Sequence, residues 1–162
     1  MGMQSKYLDD FYVRVSQDET ILRFLTYKPI NALDNPLSPT KPNIVGTDRH
    51  YTILERNILP IPKNDDIETE SICRICMYLG SSTRTNNAYS YRHRVVIDTF
   101  VNISDFENVD GRLGKITDRL DKLLVNKHVT GMGKVESIDS GEIAAPRGYV
   151  GYRNVYSFWG TK

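Results

Sequence analysis

A chain of 162 residues with 40% hydrophobic and 25% charged residues has the length and make-up of one globular domain around one core, spanning 1–162. Its 21 Lys and Arg balance 20 Asp and Glu, and a net charge of +1 excludes a global pull toward nucleic acid or acidic membranes while leaving room for a local basic patch. No apolar run approaches the ~20 residues needed to cross a bilayer, and two cysteines cannot build a disulfide framework. The start "MGMQSKYLDDFYVRV" has no apolar signal core, and Lys6 stands where an N-terminal acylation signal needs Ser or Thr, so the expected place of synthesis and residence is a cytosol.

Residues 4–27 predict a helical region, with Tyr7, Leu8, Phe11, Val15, Ile21, Leu22 and Leu25 at helical spacing. The stripe breaks near Ser16, and Ser16 followed by Glu19 has the form of a capping box that would start a second short helix, closed before Pro29. Residues 28–49 hold four of the seven prolines and keep neither periodicity, which predicts an extended, irregular arm with few internal hydrogen bonds. An arm of that length calls for disorder or a partner to lie on. "HYTILERNIL" then fits a short helix or a strand, and "PIPKNDD" a turn-rich connector.

A β-β-α-β-β core is expected over 68–160. Residues 71–79 and 91–101 alternate with period two and are rich in β-formers, and the polar "GSSTRTNNAYS" between them reads as the tip of a long hairpin. "NVDGRLGKITDRLDKLLVNKHV" carries Val109, Leu113, Ile116, Leu120, Leu123 and Leu124 on one face, with Arg112, Lys115, Asp118, Arg119, Asp121 and Lys122 opposite. Gly111 and Gly114 each cost about 1 kcal/mol relative to Ala, so its first turn should be weak. "GKVESID", the loop "SGEIAAPRG" and "YVGYRNVYSFW" complete two more strands; the last is apolar on both faces, as in a central or partner-covered strand. The fold class is therefore α+β: a mixed or antiparallel four-stranded sheet flanked by an N-terminal helix and a second amphipathic helix, in the order α-β-β-α-β-β.

The chemistry-bearing patterns are thin. Cys73 and Cys76 have C-x-x-C spacing, but residues three apart on a strand point to opposite faces. Nothing there starts a helix that would lower a thiol pKa, and His50, His93 and His128 are too scattered to complete a zinc site. Two strand cysteines, with Cys73 buried, are the expectation. No nucleophile elbow, Walker loop or dinucleotide fingerprint is present, and "GMGK" at 131–134 fits the turn between helix and strand. Asp118 and Asp121 belong to a solvated, salt-bridged helix face, and Asp98 is expected to pair with Arg94 rather than to catalyse. "YSYRHRVV" interleaves Tyr89, Tyr91, Arg92, His93 and Arg94, residue types that serve single-stranded nucleic acid and that also enrich protein interfaces.

The stretch "RVVIDTFVNISDFENVDGRLGKITDRLDKLLVNKHVTGMGKVESIDSG" resembles the tail terminator, or head–tail joining, proteins of tailed bacteriophages. The shared order is an Asp-containing strand, a short acidic loop, a helix of the form "RLGKITDRLDKLL", a glycine turn and a closing aromatic strand, over about 70–160; the N-terminal helix also fits, and the arm at 28–49 has no counterpart. The resemblance implies a structural virion protein at the tail and neck, assembled in the host cytoplasm. It would form a ring of its own copies, usually a hexamer, on the head-proximal end of the tail, stop tube polymerisation and join tail to head. The implied partners are itself, the tail tube protein and a head-completion or neck protein, with no membrane, nucleic acid only passing through the lumen, no cofactor, no metal and no catalysis. Another neck component, such as an adaptor or stopper, or a nucleic-acid-binding α+β module are the alternatives. Ring contacts are expected from the arm (Pro36, Leu37, Pro39), from the hairpin tip and its base (Arg84, Tyr89, Tyr91, Arg92, Arg94) and from the two-faced last strand (Tyr152, Tyr156, Trp159).

Overall fold

The structure, a computed structural model, describes residues 3–161. Helix α1 (Met3–Ser16) buries Tyr7, Phe11 and Val15, spaced four apart on one face. Helix α2 (Glu19–Thr26) starts from Asp18, not Ser16: Asp18 has the extended backbone that capping requires, and its carboxylate accepts the Ile21 amide at 3.0 Å. Ser16 lies inside the last turn of α1 instead.

Residues 28–47 are not the sparsely bonded arm that four prolines suggested. Arg23 of α2, only 6% exposed, drives its guanidinium into the segment. It donates to the carbonyls of Pro36 (3.3 Å), Ser38 (2.9 Å) and Lys41 (3.0 Å) and to Asn43 Oδ1 (2.7 Å). Asn31 and Asn35 add side-chain turns onto the amides of Leu33 and Leu37, each at 2.9 Å. A proline-rich loop has carbonyls with no ladder to join, and one buried cation collects them.

Helix α3 (Asp48–Arg56) and strand β1 (Ile58–Leu59) follow, so "HYTILERNIL" is a helix that runs into a strand. The sheet has six strands: β1, β2 (Cys73–Leu79), β3 (Thr83–Arg84), β4 (Tyr91–Asn102), β5 (Met132–Ile143) and β6 (Tyr149–Gly160). Their order is β1-β2-β4-β6-β5, with β3 extending the β2–β4 hairpin along β4. Only β1–β2 is parallel. The two strands beyond the expected four are two residues each, too short to show alternation. β5 runs on through "SGEI", where the glycine and proline of "SGEIAAPRG" predict a loop.

Between β4 and β5 the chain makes a π-helical turn (Ile103–Glu107), a short turn α4 (Asn108–Asp110) and helix α5 (Arg112–Leu124). Gly111 sits between the last two at φ 62°, so the single helix expected from 108 onward is split there. α1, α2 and α5 cover one face of the sheet. Ile21, Leu22, Ile116, Leu120 and Leu124 pack with Ile75, Met77, Val95, Ile97, Val101, Tyr156 and Phe158, each fully buried large side chain contributing about 1.5–3 kcal/mol. Arg112 joins this face fully buried, contrary to its expected place on the solvent side.

The opposite face is covered only at one end, where the segment 60–70 packs Ile67 with Ile72, Cys76, Phe100 and Tyr149. Cys73 and Cys76 therefore lie on opposite faces, and both are buried and free. Burial pushes both thiols up, Cys76 to about 11. Cys76 Sγ donates to the Lys63 carbonyl at 3.3 Å, a bond serine can inherit, whereas Cys73 lies fully buried in the main core under the helices. Cys73→Ser should cost about 1–3 kcal/mol and Cys76→Ser under about 1 kcal/mol. Equal losses in urea titration would show that the two sites do not differ in this way.

Candidate functional site

The uncovered end of the outer face is built by three strands. β4 places Arg92 opposite Trp159 of β6, and β5 places Met132 on the other side of Trp159. The Arg92 guanidinium lies 5.4 Å over the Trp159 ring and forms an ion pair with Glu136. Arg92 Nε also donates to Ser157 Oγ at 3.2 Å. One residue pair further along, Arg94 donates to Ser81 Oγ at 2.5 Å. Trp159 is 37% exposed and Met132 48%.

Beyond this patch the hairpin continues through β3 to its tip. Thr85 donates to the Ser90 carbonyl (2.9 Å) and accepts the Asn87 amide (3.1 Å), and Asn87 Oδ1 accepts the Tyr89 amide (3.0 Å). These bonds give the turn a fixed shape and leave Tyr89 81% exposed. Arg84 stands exposed at the base of the same turn on β3, opposite Tyr91. On the helix-covered side of the same end, His93 is buried between Tyr7, Tyr91 and Phe158, with Nδ1 at 2.8 Å from Ser82 Oγ.

A second feature is a cleft of about 390 Å³ lined by Tyr78, Asp98, Phe100, Arg153, Pro62 and Asn64 among others. Asp98 Oδ1 accepts Arg153 Nε at 2.7 Å, and Oδ2 accepts Arg153 Nη2 (2.9 Å) and the Tyr78 hydroxyl (2.6 Å). Burial, with the carboxylate beside it, pushes the Tyr78 hydroxyl up to about 12. The bond to Asp98 likewise raises Arg153. Asp98 thus has a cationic partner, but it is Arg153, directly across the β4–β6 ladder, and not Arg94. The triad ties β2, β4 and β6 together and spends the acceptors a general base would need. Among the described residues, no group of three His, Cys, Asp or Glu is placed to hold a metal ion.

The structure gathers Arg84, Tyr89, Tyr91, Arg92, Arg94 and Trp159 at one end of the sheet. Leu37 and Pro39 are exposed on the loop held by Arg23, away from that end, and Tyr152 lies half-buried across from Thr99 and Glu142. Two candidates are corrected. Pro36 is buried under Arg23. Tyr156 is fully buried, its hydroxyl donating to Asp121 Oδ1 at 2.7 Å, so it belongs to the core. That bond also moves Asp121 out of the solvated charge array expected on α5, and Arg119 leaves it as well to pair with Asp18 at 2.7 Å.

Sequence reasoning missed the segment 64–70, which holds Asp65, Asp66, Glu68 and Glu70 and no cation. Arg74 takes Asp66 and holds its carboxyl below the usual range, and Arg56 takes Glu70. Among the described residues Asp65 and Glu68 ion-pair with nothing. The signal was the run of acids itself, passed over as turn composition.

β5 is the long open edge of the sheet, and it is polar: of its twelve residues only Val135 is buried. Its pairing with β6 slips twice, between Met132 and Glu136 and between Ser137 and Asp139.

Fold and surface define an α+β protein with helices on one sheet face and a half-open opposite face ending in a rigid basic hairpin. The chain belongs to the YomW family, which it matches over residues 18–158. It is 30% identical to the SPbeta prophage-derived uncharacterized protein YomW of Bacillus subtilis (strain 168) over 173 aligned positions that span the whole of both chains. The family is phage-associated.

Proposed function

We propose that the protein is a structural virion component of a tailed phage, a tail terminator whose copies close a ring on the head-proximal end of the tail. In this reading it stops tube polymerisation, presents a surface to the neck, works without a cofactor and makes or breaks no covalent bond. The observation that supports it most is a sheet left bare at one end of one face, with Trp159, Arg92 and the Tyr89 hairpin turned outward, in a chain whose relative is prophage-derived. Exposed aromatic and arginine side chains on a fixed scaffold suit contact with other proteins. In the Asp98 cleft Tyr78, Asp98 and Arg153 are bonded to one another, which fits this reading.

The test is deletion of the gene from its phage followed by electron microscopy of induced particles. Tails of uncontrolled, excessive length that fail to join heads are expected, with normal length restored by supplying the protein in trans. Tails of normal length with unjoined heads would instead assign it to another neck component, and wild-type particles would remove it from the neck altogether.

A further inference from the structure

The chain's near-zero net charge conceals two separated poles. From 80 to 94 every charged residue is an arginine: Arg84, Arg92 and Arg94. From 64 to 70 every charged residue is acidic, with Lys63 directly before the run and its charge felt at Asp66. Arg92 is held by Glu136 and Arg94 by a hydroxyl, while Arg84 ion-pairs with nothing among the described residues. At the other pole Asp65 and Glu68 are left over in the same way.

The two poles sit at opposite ends of the strands. The acidic segment lies by Ile72, Phe100 and Tyr149, where β2 and β6 begin and β4 ends. The hairpin projects past Tyr91, where β4 begins. β4 alone has twelve residues, about 40 Å at about 3.4 Å per residue. One molecule cannot join its own poles.

We infer that the hairpin tip of one copy, through Arg84 and Tyr89, seats on Asp65 and Glu68 of a second copy of this chain. Three observations on the hairpin and its target favour this occupant. The charges are complementary within one sequence. The tip is pre-shaped by the Thr85 and Asn87 bonds, so little ordering entropy is lost on docking. An exposed tyrosine, Tyr89, at the tip of the same hairpin gives the contact an anchor. Because the two patches differ, the contact is head-to-tail, the kind that closes a ring or runs into a filament. The inference rests on the ring reading and names the surfaces that would make it.

Light scattering on the purified full chain tests it. The wild type should assemble, and more weakly as salt rises. Arg84→Glu should weaken assembly by about tenfold or more, as should Asp65→Lys with Glu68→Lys. Combining Arg84→Glu with Glu68→Arg should restore it. As a second readout, Tyr89→Cys with Glu68→Cys should give a ladder of disulfide-linked oligomers under oxidation; the native thiols are buried and do not compete. Wild-type-like assembly of both charge reversals, with no ladder, would overturn this contact and leave the ring standing. A wild type that stays monomeric at every concentration and on added tail tubes would overturn both.

Discussion

Replacing Arg112 with methionine should destabilise the protein by about 3–5 kcal/mol, the loss measured when one member of a buried ion pair is removed. Arg112 is fully buried, and the Asp110 side chain beside it is equally so. Its guanidinium donates to Asp110 Oδ2 at 2.8 Å and to the Phe24 carbonyl at 2.5 Å, and packs 5.1 Å from the Phe106 ring centroid. It joins α2, the π-helical turn and α5 at the point where Gly111 reverses the chain. Without it, among the described residues, Lys115 at 3.5 Å is the one cation left to Asp110. A domain of this size has about 5–15 kcal/mol in total, so melting should fall by about 6–20 °C. Arg112→Met combined with Asp110→Leu should recover much of the loss, because no uncompensated charge then remains. A single variant that melts within about 2 °C of wild type would show that the pair is not the joint described.

Arg23→Ala should cost about 2–4 kcal/mol, less than the sum of its charge-assisted bonds because such terms do not add. The loss should be local first: the loop 28–47 loses the cation that gathers its carbonyls, so chymotrypsin should cut after Leu33 and Leu37, both exposed on the loop, much faster than in the wild type. Unchanged cleavage would mean that the loop holds its shape without Arg23. Glu19 reports on the same junction. Burial pushes its carboxyl up, but the amides of Val45 and Ile44 and the Arg23 guanidinium outweigh that and hold it below the ordinary glutamate value. A carboxyl depressed in the folded state adds stability that is complete above its unfolded pKa, about 4.3, and is lost as pH falls through the lower folded value. Glu19→Gln should therefore flatten the wild-type loss of stability below about pH 4.3. A variant that keeps the full acid dependence would place that dependence elsewhere.

How much of this was legible depends on whether a signal is local. β2, β4 and β6 show period two, and the α5 stripe repeats at three and four, so the class and the hairpin could be read directly. β1 and β3 have two residues each and no period to show. Arg112 stands four before Ile116 and eight before Leu120, on the buried stripe, so its phase is legible while its charge points to the solvent side. Prolines announce a loop without regular ladders, but nothing in 28–47 announces the arginine that organises it from α2. Of the site, the basic and aromatic residues of the hairpin stood out by type. Burial of Pro36 and Tyr156, and the choice of Arg153 over Arg94 for Asp98, arise only from strands and helices meeting across long stretches of chain.

The two slips in β5 bear on how the free chain meets other polypeptides. A straight outermost strand is a template on which any unfolded or extended peptide can add. Here the donors and acceptors fall out of step twice within twelve residues, and acidic side chains line the rim, so an approaching strand finds no long run to zip along. The free molecule is thereby kept from recruiting stray strands along this edge.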